Sequence, residues 1–226
     1  MALILNIDTA VDAASVCLAK DGDILTIAKN EKQKDHAAWL HIAIKNILEK
    51  NNLEMSAVDA VAITAGPGSY TGLRIGLAAA KGICYALHKP LICLNTLEVM
   101  AAAAKNVNDP CVEGADLLCP MIDARRMEVF TAVYDKELRI IKEPSAMELN
   151  ENSFDKELEV KSICFLGNGS GKFRALINNS NALFSDVNMD AAAMVPLSDK
   201  KFLCNEFADL AYAGPLYLKE FYTPAR

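Results

Sequence analysis

The chain has 226 residues, 52% of them hydrophobic, seven cysteines and a formal charge of -6. Such a composition builds a real core and excludes a disordered chain, and the acidic balance without any Lys/Arg run argues against autonomous nucleic-acid binding through a basic face. No apolar stretch reaches the roughly 18 residues of a membrane helix. The cysteines are odd in number, lack a C-x-x-C pair and sit in apolar surroundings such as Val16-Cys17-Leu18, which reads as reduced core thiols in a cytoplasmic protein.

Met1 to Asp8 carries no basic stretch and reads as structure rather than a signal peptide. Leu3 to Asp8 reads as a central strand, Ser15 to Lys20 and Ile24 to Ala28 as two more, joined by the hairpin signal Asp21-Gly22. After a polar stretch from Asn30 to Lys34, Asp35 is expected to cap a helix over His36 to Asn51, with Leu40, Ile44, Ile47 and Leu48 as its apolar stripe and Trp39 beside it. A strand from Val58 to Thr64 leads into a Gly-rich loop and a helix over Gly72 to His88. Leu91 to Leu94 is a strand, and Thr96 is expected to cap a helix reaching Lys105. The order β-β-β-α-β-α-β-α is that of a ribonuclease H-like layer, the half-unit of the sugar kinase, Hsc70 and actin superfamily.

The polar stretch Asn106 to Ala115, with Pro110, places a domain boundary: residues 1–105 form the N-terminal domain and 106–226 a smaller C-terminal one. In the second part Met121-Ile122 and Met127 to Asp135 read as strands around the turn Asp123 to Arg126. Arg139 to Lys142 and Lys161 to Leu166 also read as strands. Met147 to Glu159 is weakly patterned and expected to be irregular. Gly167 to Gly171 forms a loop before a helix at about Lys172. A last amphipathic helix is read over Lys200 to Ala213, packing back on the first domain. No repeat of fixed period is visible.

The organising stretch is Gly66-Pro67-Gly68-Ser69-Tyr70-Thr71-Gly72-Leu73-Arg74-Ile75-Gly76. A glycine loop before a helix N-terminus is suited to an anion. The helix itself points elsewhere. Gly76 and Gly82 each cost about 1 kcal/mol relative to Ala, and close approach of another backbone is the usual offset. Either an internal element or a partner subunit could make that approach. Ser69 and Thr71 read as helix caps, and Arg74 in the first turn points to a carboxylate or anion partner or to a surface ion pair. Candidate nucleotide or anion ligands are Asp8, ending the first strand, and Gly167, Gly169 and Gly171. The latter loop lacks the first Gly and final Ser/Thr of a P-loop. His36 and His41 are five apart and face different ways on a helix, so no metal site is expected, and no nucleophile elbow is present.

Asn6-Ile7-Asp8-Thr9-Ala10, the long glycine signature, and Pro120-Met121-Ile122-Asp123-Ala124-Arg125-Arg126-Met127-Glu128-Val129-Phe130 closely resemble the bacterial TsaB (YeaZ) family. The resemblance implies an α/β fold of two ribonuclease H-like domains and a role in tRNA threonylcarbamoyladenosine synthesis. It implies a non-catalytic subunit that binds and activates a TsaD-type threonylcarbamoyltransferase, joined by a TsaE-type ATPase, with tRNA reached through the complex and a homodimer left open. No cofactor is then required by this chain; ATP and metal belong to the partner subunits. In such proteins the two N-terminal helices form the pairing surface, here His36, Trp39, Leu40 and Ile44 on one and Gly72, Leu73, Gly76, Ala79, Ala80 and Ile83 on the other. Two other classes stay open: an ATP-dependent small-molecule kinase using Asp8, and a metalloprotease-like activity.

Overall fold

The computed structural model describes residues 2–30 and 35–219. The polar stretch read at Asn30 to Lys34 lies, from 31 on, outside them. Two units are present: the residues up to Val107 with Val187–Pro215, and Asn108–Asp186 with the residues from Leu216 on.

In the first unit β1 (Leu3–Asp8), β2 (Ala14–Lys20) and β3 (Asp23–Asn30) form an antiparallel meander. Asp21 and Gly22, with φ of 52° and 83°, make its tight two-residue turn, which needs positive φ at both positions. β4 (Ala60–Gly66) and β5 (Leu91–Asn95) add in parallel, giving the order β3-β2-β1-β4-β5. Strand β1 lies between two partners and all six of its residues are buried, as its unbroken apolar run requires. Leu5 and Ile7 share a core with Leu40 and Ile44 of α1 (His36–Lys50) and with Leu77 and Ala80 of α2 (Tyr70–Leu87).

Four expectations at helix ends need correction. Thr71, read as a cap, lies inside α2, and Ser69 alone caps it. Asp35 precedes α1 but makes no side-chain cap. Asn95, not Thr96, caps α3 (Thr96–Lys105), accepting the Leu97 N–H at 2.9 Å, because Thr96 is itself helical and buried. The last helix, α7 (Val195–Leu203), follows a 3-10 turn at Ala191–Met194 and ends ten residues before the expected Ala213. Beyond it the chain turns at Asn205 (φ 54°) and lays Ala208 antiparallel on Leu91, whose carbonyl accepts the Ala208 N–H at 2.8 Å. The apolar period from Leu203 to Ala211 suits a helix, but the open backbone of edge strand β5 captures the segment instead.

The second unit contains α4 (Pro110–Glu113), β6 (Leu117–Asp123), β7 (Glu128–Asp135), β8 (Ile140–Glu148), α5 (Asp155–Leu158), β9 (Ile163–Leu166), α6 (Ser170–Arg174) and β10 (Ala182–Ser185). Its sheet order is β10-β9-β6-β7-β8. The segment Met147 to Glu159, expected to be irregular, carries the end of β8 and the turn α5, anchored by buried Phe154 against Phe165 and Phe173 at ring distances of 5.1 and 5.2 Å. Counted within each unit, both sheets run 3-2-1-4-5, with the first three strands antiparallel and the last two parallel. The short signatures repeat as well. Ile7-Asp8 and Ile122-Asp123 end the first strand of each unit, and Gly66-Pro67-Gly68-Ser69 and Gly167-Asn168-Gly169-Ser170 follow or close the fourth.

All seven cysteines are free. Burial pushes the Cys17, Cys119 and Cys164 thiols up to about 12, so they stay protonated as core groups.

Candidate docking surface on helices α1 and α2

The glycine signature turns β4 into α2. Gly66 has φ of 120°, open to glycine alone, and the Ser69 Oγ caps the helix by accepting the Gly72 N–H at 3.3 Å. The turn is pressed against the loop after β1. The Ser69 N–H donates to the Ala10 carbonyl at 2.7 Å, and the Thr9 hydroxyl donates to the Gly72 carbonyl at 2.8 Å. A Cβ at Gly68 would fall 2.2 Å from the Ala10 oxygen, one at Gly72 2.0 Å from the Thr9 oxygen, and one at Gly76 2.2 Å from Thr9 Oγ1. The close approach that these glycines serve is therefore internal, made by Thr9 and Ala10.

The sequence-derived surface thus divides. Gly72, Gly76, Leu40, Ile44, Leu73 and Ala80 are buried in the unit's own core, and His36 is only 6% exposed. Ala79 and Ile83 do reach a groove between the helices, of about 590 Å³. Trp39, on α1, is half-buried against the core. Residues outside that sequence-derived surface make up the rest of the groove: Ala37, His41 and Met55 on one side, Ile75, Ala78, Gly82, Ala86 and Leu87 on the other. Ala78, Gly82 and Ala86, four apart, form one exposed ridge of α2, and a Cβ at Gly82 would meet nothing within 4 Å. Gly82 thus has no internal reason for its cost of about 1 kcal/mol. The i, i+4, i+8 spacing of small residues was the available signal. A second recess of about 360 Å³ continues past His41 and Ile83 to Lys45 and Glu49, paired at 3.6 Å. A smooth apolar trough with a glycine on its wall has the shape to seat a helix closely.

Around this surface, Pro67 is buried, Tyr70 is 37% exposed and Thr71 is exposed. The Arg74 guanidinium lies 4.0 Å over the Tyr70 ring. Asp8 is fully buried. Its Oδ1 accepts from the Thr64 hydroxyl at 2.6 Å and the Ala10 N–H at 3.1 Å, and Oδ2 has no partner. Burial, outweighing the two hydrogen bonds, pushes its carboxyl up to about 6. The loop beside it turns the Thr9 and Ala10 carbonyls, not amides, toward α2, which does not make a phosphate cradle.

Gly167 (φ 90°) and Gly169 also serve the fold. A Cβ at Gly169 would fall 3.0 Å from the Ile122 carbonyl carbon, Asn168 Oδ1 accepts the Asp123 N–H at 2.9 Å, and Lys172 pairs with Asp123 at 2.8 Å. Gly171 faces open space. Among the described residues no three His, Cys, Asp or Glu side chains gather to hold a metal ion, and no helix is long and apolar enough to cross a membrane.

Two ribonuclease H-like sheets of like topology place the chain in the sugar kinase, Hsc70 and actin class, here carrying an apolar inter-helix groove on the first unit. A family model described as TsaD: tRNA N6-adenosine threonylcarbamoyltransferase matches residues 26–215. The tRNA threonylcarbamoyladenosine biosynthesis protein TsaB of Escherichia coli is 34% identical over 59% of this chain and 55% of its own, so the chain spans about half the length of that relative. The TsaB protein of Buchnera aphidicola subsp. Baizongia pistaciae is 30% identical over 75% of this chain and 76% of its own. Among solved structures, YeaZ from Pseudomonas aeruginosa superposes with a TM-score of 0.83 at 26% identity, covering 96% of this chain and all of that one. The chain belongs to the TsaB (YeaZ) family, within the wider TsaD family.

Proposed function

We propose that this protein is a non-catalytic subunit in tRNA threonylcarbamoyladenosine synthesis, one that binds and activates a TsaD-type threonylcarbamoyltransferase through the α1–α2 groove. The observation that carries the reading is the exposed Ala78–Gly82–Ala86 ridge, whose glycine has no neighbour in its own chain. A ridge of small residues lets a partner helix approach closely, and the partner's side chains then fill the trough beside it. The names of the relatives supply the reaction, and this chain's own match to the TsaD family model makes a pairing of like surfaces natural. In this reading a TsaE-type ATPase joins the pair, and tRNA meets the complex rather than this chain, in keeping with the formal charge of -6.

The test is co-purification with a TsaD-type subunit. Gly82→Leu, whose Cβ meets no atom of its own chain within 4 Å, is expected to fold normally and to lose the complex. A Gly82→Leu chain that pairs as well as the parent would remove this surface from the reading. Stimulation of threonylcarbamoyl transfer by the parent chain, and not by Gly82→Leu, tests activation separately.

A further inference from the structure

At the N-terminal end of α2 a separate recess of about 380 Å³ opens between the helix and the loop after β1. Thr71 and Gly72 line it from the first turn of α2, and His36 lines it from the start of α1. Three observations meet there. First, α2 has 18 residues, so its N-terminal end carries the full partial positive charge of a helix dipole. The Gly72 N–H is taken by Ser69, but the Thr71 N–H and hydroxyl have no partner among the described residues. Second, His36 is only 6% exposed and its Nδ1 is buried with no hydrogen-bond partner. An imidazole nitrogen left so is costly unless something polar meets it. Third, Ala37 and Ile75 line both this recess and the α1–α2 groove, so the two adjoin.

We propose that this recess is a carboxylate pocket, into which the partner seated in the α1–α2 groove places an acidic side chain, held by the Thr71 N–H and hydroxyl and by the His36 imidazole. The inference rests on the docking reading and adds the chemistry of the partner. A single negative charge is what the lining accepts. Among the described residues it contains no lysine or arginine, and Asp12 stands on its wall. A dianionic phosphate would be left under-compensated, whereas a carboxylate needs two or three donors and one helix end. The apolar flanks, Val11, Ala37 and Ile75, suit the methylene stem of such a side chain.

Two experiments test it. In the first, the full chain is titrated with acetate and, separately, with inorganic phosphate, while the Thr71 amide and His36 ring signals are followed by NMR. Saturable shifts with acetate, lost in His36→Phe, are expected. Shifts that grow linearly without saturating, or tighter binding of inorganic phosphate than of acetate, overturn the carboxylate assignment. In the second, affinity for a TsaD-type subunit is measured for Thr71→Glu, which puts the chain's own carboxylate at the mouth of the pocket and suits a helix first turn, so it folds. A loss of about tenfold or more is expected, the size of one charge-assisted contact. Should Gly82→Leu abolish pairing while Thr71→Glu and His36→Phe leave it intact, the docking surface stands and the pocket falls. Should none of the three weaken pairing, both fall.

Discussion

At the scale of single residues, the three glycines of α2 do different work. Gly72 and Gly76 face Thr9 at distances where no side chain fits, while Gly82 faces open space. Gly76→Ala is therefore expected to lower stability by about 1–3 kcal/mol, the usual cost of overpacking, in urea unfolding. Gly82→Ala is expected to raise it by up to about 1 kcal/mol, because an exposed helical glycine is simply replaced by a better helix former. Opposite signs from the same substitution on one helix separate the internal contact from the outward ridge. Asp8 gives a pH signature. Its folded pKa of about 6 lies above the ordinary 3.8, so the folded state binds the extra proton between those values. Stability contributed by protonated Asp8 is then present below about pH 4 and lost as pH rises through 6. The shift corresponds to about 3 kcal/mol. Asp8→Asn keeps an acceptor for Thr64 and Ala10 and should flatten that slope, measured as the difference between parent and variant unfolding curves from pH 4 to 7. Asp123 and Asp135, whose burial is outweighed by donors that include Lys172 and Arg139, are held below the usual range, so their own contribution is lost mainly below about pH 4, outside that window.

At the scale of elements, α2 shows how far hydrophobic periodicity reaches. Helical spacing marks Leu73, Leu77, Ala80, Cys84 and Leu87 as its core stripe; the first four are buried, and Leu87 is only half-buried, on the wall of the groove. Its other faces are built of Gly and Ala, which sit equally well in a core or on a surface. The rule of helical spacing cannot then say which small-residue stripe turns inward. The residue that decides is Thr9, some sixty positions away, and its approach belongs to tertiary structure. The same limit explains α7. The segment from Asn205 to Ala213 has helical apolar spacing, yet β5 offers an unpaired edge, and a backbone hydrogen bond from Ala208 satisfies it. Lys81 then holds the segment down, donating to the Ala213 carbonyl at 2.9 Å.

At the scale of the whole molecule, the chain returns to its first unit after building the second. The returning part brings buried Ala191, Met194 and Val195 and sets the Ala191 N–H on the Ser15 hydroxyl at 2.8 Å. A chain ended after Asp186 is therefore expected to lose the cooperative unfolding of the first unit and to bind a hydrophobic dye, since the face that this segment covers would be open. A sharp parent-like melting transition in that truncation would contradict the tie. The two units repeat one topology and the short signatures I-D and G-x-G-S, but the spacing from Asp to the glycine turn differs between them. A search for a fixed period is blind to such a repeat, because insertions between strands change length without changing the order of the sheet.

By itself the sequence determined the α/β class, the opening meander, the placement of α1 and α2, and the family, because unbroken apolar strands, helical stripes and a long glycine signature are local facts. Only the tertiary structure decided that Gly72 and Gly76 look inward and that Ala78, Gly82 and Ala86 look out. It also decided that His36 and the first turn of α2 line one recess. Each of these depends on which distant backbone arrives at a given face, and the periodicity of one element carries no record of its neighbour.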